Sequence, residues 1–172
     1  QDAPAFFFVD IQPQQVAPFQ ALVADVPGVD RSEQVPMLRG RITAIDGVPA
    51  AEANIAPDAR WVLRGDRGIT WAAEAPAHNP LIKGEWWPAD YRGDMLVSID
   101  ARVADGLGLD IGDTITVNVL GRAFTATIAN TRQIDWQRLA INFVMVFSPG
   151  ILESAPRMHI AIVHAEAVAE DP

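Results

Sequence analysis

The sequence contains no cysteine, and this absence excludes several kinds of chemistry. None of the 172 residues can form a disulfide, act as a thiol nucleophile or bind a metal through a thiolate. A chain without cysteine is compatible with the cytosol and equally with a bacterial periplasm. The composition therefore excludes a disulfide-stabilised scaffold and leaves the compartment open.

Basic residues are scarce relative to acidic ones. The chain has 13 Lys and Arg against 22 Asp and Glu, a net charge of −9, and the acidic excess is spread along its length. A surface that binds a nucleic-acid backbone needs clustered basic side chains that release counterions. The sequence shows no such cluster, so nucleic acid is not an expected partner.

Long apolar runs are also missing. The longest uncharged stretches, 11–24 and 139–152, are interrupted by polar residues, proline or glycine, whereas a spanning helix needs about 18 or more apolar residues. The chain opens on Gln1-Asp2-Ala3-Pro4 without the features of a signal peptide, and we expect it to be part of a longer protein. Its 49% hydrophobic residues suffice for a folded core.

Hydrophobic spacing predicts an α+β fold in which both chain ends form strand–helix–strand units. The N-terminal unit is a strand over 5–12, a helix starting near Ala17 and a strand over 35–45. The C-terminal unit is a strand over 142–147, a short helix and a strand over 158–164. We expect residues 1–49 and 139–172 to form one α+β subdomain around a mixed sheet.

The middle of the chain, residues 50–138, is predicted to be an inserted β-rich lobe with one short helix. Alternating apolar residues indicate a hairpin of strands 114–119 and 122–129, and a second hairpin is expected from 61–64 and 69–72. The helix should begin after Asp100 as its N-cap and end at Gly108.

No catalytic, cofactor-binding or metal-binding residues are predicted. The glycines between Gly106 and Gly112 follow a helix, whereas a dinucleotide loop follows a strand. His159 and His164 are five residues apart on a strand and point to opposite faces, and His78 is far away in sequence. Ser148 is interpreted as a helix N-cap rather than a nucleophile.

The tryptophans are the best candidates for contacts with a partner or substrate. Trp86 and Trp87 are adjacent beside a turn, and Ile134 and Trp136 lie near a second turn. Amphipathic rings in such places are typical of half-buried sites and interfaces. Because neighbours in an extended chain point to opposite sides, we expect Trp86 and Trp87 not to face one core together. Packing of these rings inside the fold is the alternative.

Several segments resemble the extracytoplasmic domain of YbbP-type permeases in the FtsX/MacB-like group of ABC transporters. Within 128–150, the residues Arg132, Asp135-Trp136, Asn142-Phe143 and Ser148-Pro149-Gly150 keep the order and spacing of that family. The strings that carry the resemblance are PAFFFVDIQPQQV, MLRGRITAIDGVP, LIKGEWWP and LGLDIGDTITVNVLGRAFTATIANTRQIDWQRLAINFVMVFSPG.

The resemblance implies a domain on the periplasmic side of the bacterial inner membrane, joined to it by transmembrane helices outside this sequence. It implies a MacB periplasmic-core-like fold. It also implies two partners, a separate cytoplasmic ATP-binding subunit and a second periplasmic domain. The domain would transmit ATP-driven motion to the handling or export of lipids, lipoproteins or other amphiphiles. A lysophospholipase-like esterase is a further implied partner, and no catalytic residue is transferred.

Two alternatives remain open at this point. The first is a hydrolase domain, for which a convergent nucleophile, base and acid are not found in the sequence. The second is a free-standing periplasmic binding or accessory module that acts with an esterase, because LGLDIGDTITV is also similar to the helix–Gly–strand step of double-psi barrels.

Overall fold

A computed structural model of the chain describes residues 5–25, 29–135, 142–154 and 158–165. The described residues divide into two compact units. The first unit contains 5–25, 29–37 and 158–165, and the second contains 38–135 and 142–154. The predicted mixture of sheet with few helices is confirmed.

The elements are numbered in chain order within the described residues. The strands are β1 (Ala5–Ile11), β2 (Val29–Ile45), β3 (Val48–Pro49), β4 (Arg67–Trp71), β5 (Leu81–Gly84), β6 (Leu96–Asp100), β7 (Thr114–Val119), β8 (Arg122–Arg132), β9 (Met145–Phe147) and β10 (Met158–Ala165). The α-helices are α1 (Val16–Ala24) and α2 (Ala101–Leu107), and 3₁₀ helices span Pro13–Gln15, Ala50–Glu52, Pro57–Leu63 and Ile151–Ser154.

The first unit is built on an antiparallel sheet in the order β1, β10, β2. Helix α1 follows β1 through one 3₁₀ turn, and Pro18 lies in its first turn, where a missing N–H breaks no helical hydrogen bond. The N-terminal strand and helix predicted from the sequence are confirmed. The next strand, β2, begins at Val29, six residues before the predicted start.

The second unit contains a closed ring of six strands. Neighbouring strands pair in the order β2, β4, β9, β6, β8, β7 and back to β2. The pairs β4/β9 and β6/β8 are parallel, and the other four are antiparallel. Closure removes the free edges from the ring. Outside it, β5 pairs with β8 and β3 pairs with β2.

Alternating apolar side chains fill the inside of the barrel. Ile115, Val117 and Val119 of β7 are buried, as their spacing predicts, and they pack with Ala126 and Ile128 of β8 in one core cluster. On a strand, residues two positions apart share a face, so strict alternation produces one apolar wall per strand. The predicted hairpin of β7 and β8 is confirmed, with β8 three residues longer than expected.

Helix α2 has the two caps that its sequence predicts. The Asp100 carboxylate accepts a hydrogen bond from the Val103 N–H at 3.1 Å. At the other end, Gly108 is left-handed with φ 69°, and the Leu109 N–H donates to the Ala104 carbonyl at 2.9 Å. These bonds satisfy backbone groups that the short helix leaves unpaired.

Some local predictions are wrong. Residues 61–63 belong to the 3₁₀ helix Pro57–Leu63, because Ala59 and Val62 at a spacing of three both reach the core, and Arg64 follows as its extended C-cap. Ser148 does not cap a helix. Its hydroxyl oxygen accepts a hydrogen bond from the Leu96 N–H at 2.9 Å and so extends the pairing of β6 with β9.

The expected strand–helix–strand unit at the C-terminal end is not confirmed. The strand predicted over 142–147 is reduced to β9, which lies in the barrel of the second unit, while β10 lies in the first unit. The division into 1–49 plus 139–172 and 50–138 therefore stays a prediction. Within the described ranges, no helix has the length and apolar character needed to cross a membrane.

Candidate functional site

The Trp86 and Trp87 rings lie together. Their centroids are 4.0 Å apart and their planes are inclined by 32°. The Trp86 Nε1–H donates to the Ala73 carbonyl at 3.0 Å, and the Trp87 Nε1–H donates to the Ala72 carbonyl at 2.9 Å. Both indoles are thus anchored to consecutive carbonyls just after β4. The alternation of neighbours in an extended strand therefore does not hold for these two rings, although Trp87 alone of the two is buried.

Gly84 explains why the two rings face the same way. Its φ of 74° ends the extended geometry of β5, so the alternation of a strand does not continue through Glu85, Trp86 and Trp87. A Cβ on Gly84 would lie 2.2 Å from the backbone oxygen of Ala129, which leaves no room for a side chain. In the sequence Gly-Glu-Trp-Trp, the glycine turns the backbone and the two indoles after it are held by hydrogen bonds to the Ala72 and Ala73 carbonyls.

The four candidate contact residues differ in exposure. Trp87 is buried at 4% exposure, whereas Trp86 is half-buried. Ile134 is buried at 6%, and its N–H points to Asp100 Oδ1 at 3.4 Å, at the start of α2. Trp136 lies outside the described residues. Among the three predicted contact residues that the structure describes, Trp86 is therefore the one that is not buried.

The buried Arg132 connects segments that are far apart in the chain. Arg132, at the end of β8, has 0% exposure. Its Nε–H donates to the Ser98 hydroxyl at 3.0 Å and its Nη1–H to Asn79 Oδ1 at 2.9 Å. Its Nη2 group donates to the carbonyls of Phe143 and Val144, the latter at 3.3 Å. One guanidinium thus joins β6, the loop before β5 and the segment leading into β9.

Burial lowers the pKa of Arg132 to about 10, since removal from water disfavours the charged form, while the nearby Asp100 carboxylate acts in the opposite direction. Arg132 therefore remains protonated near neutral pH. Its planar group can serve several acceptors at once, which an ammonium cannot do in the same geometry. The sequence resemblance marks Arg132 as part of a motif, but its burial and its bonds are visible only in the structure.

A small cavity of about 240 Å³ lies elsewhere in the second unit. It is lined by Asp58, Ala59, Trp61, Asp100, Arg102 and Val103. Ligand pockets usually have volumes of roughly 300–1,000 Å³. One Trp61 face is occupied by the Arg67 guanidinium, 4.9 Å from the ring centroid. Over the described part of the chain, no three His, Cys, Asp or Glu side chains gather as a metal site would require.

Comparison with known proteins identifies a relative. The chain is 33% identical over 156 residues to YbbP, an ABC transporter permease of Escherichia coli strain K12, and the match covers 91% of this chain. The chain spans 18% of the length of that permease. No protein-family model matches the chain. The resemblance to YbbP-type permeases expected from the sequence is confirmed.

A solved structure is also similar. A domain of a permease protein from Porphyromonas gingivalis aligns over 88% of this chain and 62% of its own length, with 18% identity and a TM-score of 0.46.

Proposed function

Because the chain is similar to a segment of a YbbP-type permease, we propose that it is the periplasmic domain of an ABC transporter permease subunit. The similarity over 91% of the chain carries this proposal. A permease of this class works with a cytoplasmic ATP-binding subunit, and that subunit is the first proposed partner. The domain performs no chemistry of its own and transmits the motion of the membrane helices.

The proposed cargo is a lipid, a lipoprotein or another amphiphile handled outside the inner membrane. The second periplasmic domain of the permease and a lysophospholipase-like esterase are further proposed partners. In this arrangement, residues 1–49 and 139–172 form the porter-like subdomain and 50–138 its inserted lobe. The free-standing module is not favoured, because the relative that matches nearly the whole chain is a permease.

Trp86 is the proposed contact with the cargo or the paired domain. Its N–H is already satisfied by Ala73, and Trp87 supports one face, so the ring of this half-buried residue is held in place. Exposed aromatic rings held rigidly are efficient contacts because little conformational entropy is lost on binding. Burial of Trp87 assigns it the role of support.

The test uses the full permease and its ATP-binding subunit in proteoliposomes. Trp86→Ala should reduce ATP-dependent release of a fluorescent phospholipid to an acceptor at least about fivefold, the effect of losing roughly 1 kcal/mol of contact energy. ATP hydrolysis should persist. The matched control is Trp61→Ala, which removes another partly exposed ring, 37% accessible, and should leave release unchanged.

Unchanged lipid release by the Trp86→Ala variant would contradict the proposed role of Trp86 as a contact. A wild-type permease that hydrolyses ATP and releases no lipid would contradict the proposed cargo. A wild-type permease that neither binds the ATP-binding subunit nor supports hydrolysis would contradict the proposed function as a whole.

A further inference from the structure

The tip of the β7–β8 hairpin carries an exposed leucine in an unfavourable backbone conformation. Leu120 is 70% exposed and has φ 51°, and it is followed by Gly121 at φ 81°. This two-residue turn requires positive φ at both positions, for which Asn, Asp and Gly are preferred. Leu120 is thus disfavoured both by its backbone angle and by its contact with water.

Three exposed arginines surround this tip. Arg41 of β2 lies opposite Asn118 of β7, and a Cβ on Gly40 would lie 3.4 Å from Val119, so β2 runs along the base of the hairpin tip. Arg39 and Arg41 flank Gly40 and are both exposed. Arg122 comes two residues after Leu120, and its guanidinium lies 5.6 Å from the centre of the Phe124 ring.

These arginines are not neutralised by neighbouring acids. Across the described parts of the chain, none of the three takes part in an ion pair. The register also brings Arg67 opposite Gly40, and Asp66 beside it contributes one negative charge. The tip therefore carries positive charge in a chain whose net charge is −9. This patch cannot be predicted from the sequence, because its arginines on β2 and β8 are some eighty residues apart in the chain.

We propose that the Leu120 tip, with Arg39, Arg41 and Arg122, docks onto a membrane surface that carries anionic phospholipid headgroups. Leu120 would enter the interface while the arginines bind phosphates. Arg39 and Arg41 are two strand positions apart, about 7 Å, on the outer face of β2, whereas Arg122 pairs with the buried Val119 and lies on the other face of the hairpin. Arginines on both sides of the tip fit several headgroups better than one phosphate. The apolar tip favours a lipid surface over an acidic peptide.

The expected strength of this interaction is modest. Each arginine near an anionic surface contributes about fivefold in affinity, so three give roughly a hundredfold preference for anionic over neutral membranes. The negative charge on the remainder of the chain opposes binding, but its effect decays over about 8 Å at physiological salt. The inference does not depend on the proposed transport function, because it concerns the binding of this chain alone.

Sedimentation with vesicles tests the proposal. The chain should bind phosphatidylglycerol-containing phosphatidylcholine vesicles, should bind pure phosphatidylcholine vesicles at least tenfold less, and should dissociate as salt is raised. Replacing Arg39 and Arg41 together by Gln should reduce binding about twentyfold or more. Leu120→Asn should also reduce binding while raising thermal stability, because Asn suits the turn.

Matched controls are Arg102→Gln and Ile82→Asn, which remove exposed residues of the same types outside the tip and should leave binding unchanged. Equal binding to both kinds of vesicle, or equal losses in the controls, would overturn the proposal. Binding that is insensitive to Leu120→Asn and is fully displaced by poly-glutamate would assign the arginines to an acidic protein partner and would overturn the lipid docking.

Discussion

At the residue scale, Arg132 is the side chain on which several segments depend. Its guanidinium donates to Ser98, Asn79 and the carbonyls of Phe143 and Val144, and these acceptors are far apart in the chain. A buried cation is costly to desolvate, and its removal leaves its acceptors unpaired. Arg132 therefore acts mainly by positioning these loops relative to β6 and β8.

Arg132→Lys should reduce the free energy of unfolding by about 3–5 kcal/mol, because a lysine cannot reach all four acceptors and leaves a buried charge poorly compensated. Urea denaturation of the chain measures this change. The control is Arg92→Lys at an exposed position, with an expected change within about 0.5 kcal/mol. A loss below about 1 kcal/mol in the Arg132 variant would contradict the positioning role.

The lowered pKa of Arg132 also predicts how its contribution depends on pH. In the folded state this pKa is about 10, well below its ordinary value in the unfolded chain, so the two states bind different numbers of protons only as the pH approaches and passes about 10. Above about pH 10, the contribution of Arg132 to the free energy of unfolding rises with pH, because the unfolded state then binds more protons than the folded state. Below that range, this contribution does not depend on pH. The difference in unfolding free energy between wild type and Arg132→Met should thus be the same at about pH 6 and pH 9. A marked change over that interval would show that Arg132 titrates lower.

At the element scale, the best-predicted parts are those whose signals are local. The β7–β8 hairpin and the caps of α2 each follow from a few consecutive residues, such as Asp100 before the helix and Gly108 after it. Strand alternation does not predict the orientation of the paired tryptophans, because Gly84 ends the extended geometry just before them. The role of Ser148 does not follow from its neighbours in sequence, because its partner, the Leu96 N–H, lies on a strand about fifty residues earlier.

Gly84→Ala tests the turn that places the tryptophans. The new Cβ would meet the Ala129 carbonyl, and φ 74° is unfavourable for alanine, so we expect a loss of about 2–4 kcal/mol in unfolding free energy. Tryptophan fluorescence should shift to longer wavelength as the indoles leave their carbonyl partners. Gly121→Asn is the control, because it also has positive φ but has open space around it and suits asparagine. A stable Gly84→Ala variant with unshifted fluorescence would refute this explanation.

At the scale of the whole molecule, the closed barrel could not be predicted from periodicity. Its ring joins β2 to β7 and the short β9 to β4 and β6, and such pairings between distant segments leave no mark in local spacing. The presence of strands is predictable from alternation, whereas their order depends on which faces must be buried together. The arginine patch around Leu120 also depends on the pairing of distant strands, so it cannot be predicted from local spacing either.

The central claim, that this chain is the periplasmic part of a permease, can be measured directly because the chain has no cysteine. Ile151→Cys introduces a thiol at a 57% exposed position, and Ser98→Cys provides a buried control. In the full permease, with any cysteine outside this chain replaced by serine, a membrane-impermeant maleimide added to cells with a permeabilised outer membrane should label Cys at 151 before the inner membrane is broken and should not label Cys at 98. Labelling at 151 only after lysis of the inner membrane would contradict the account.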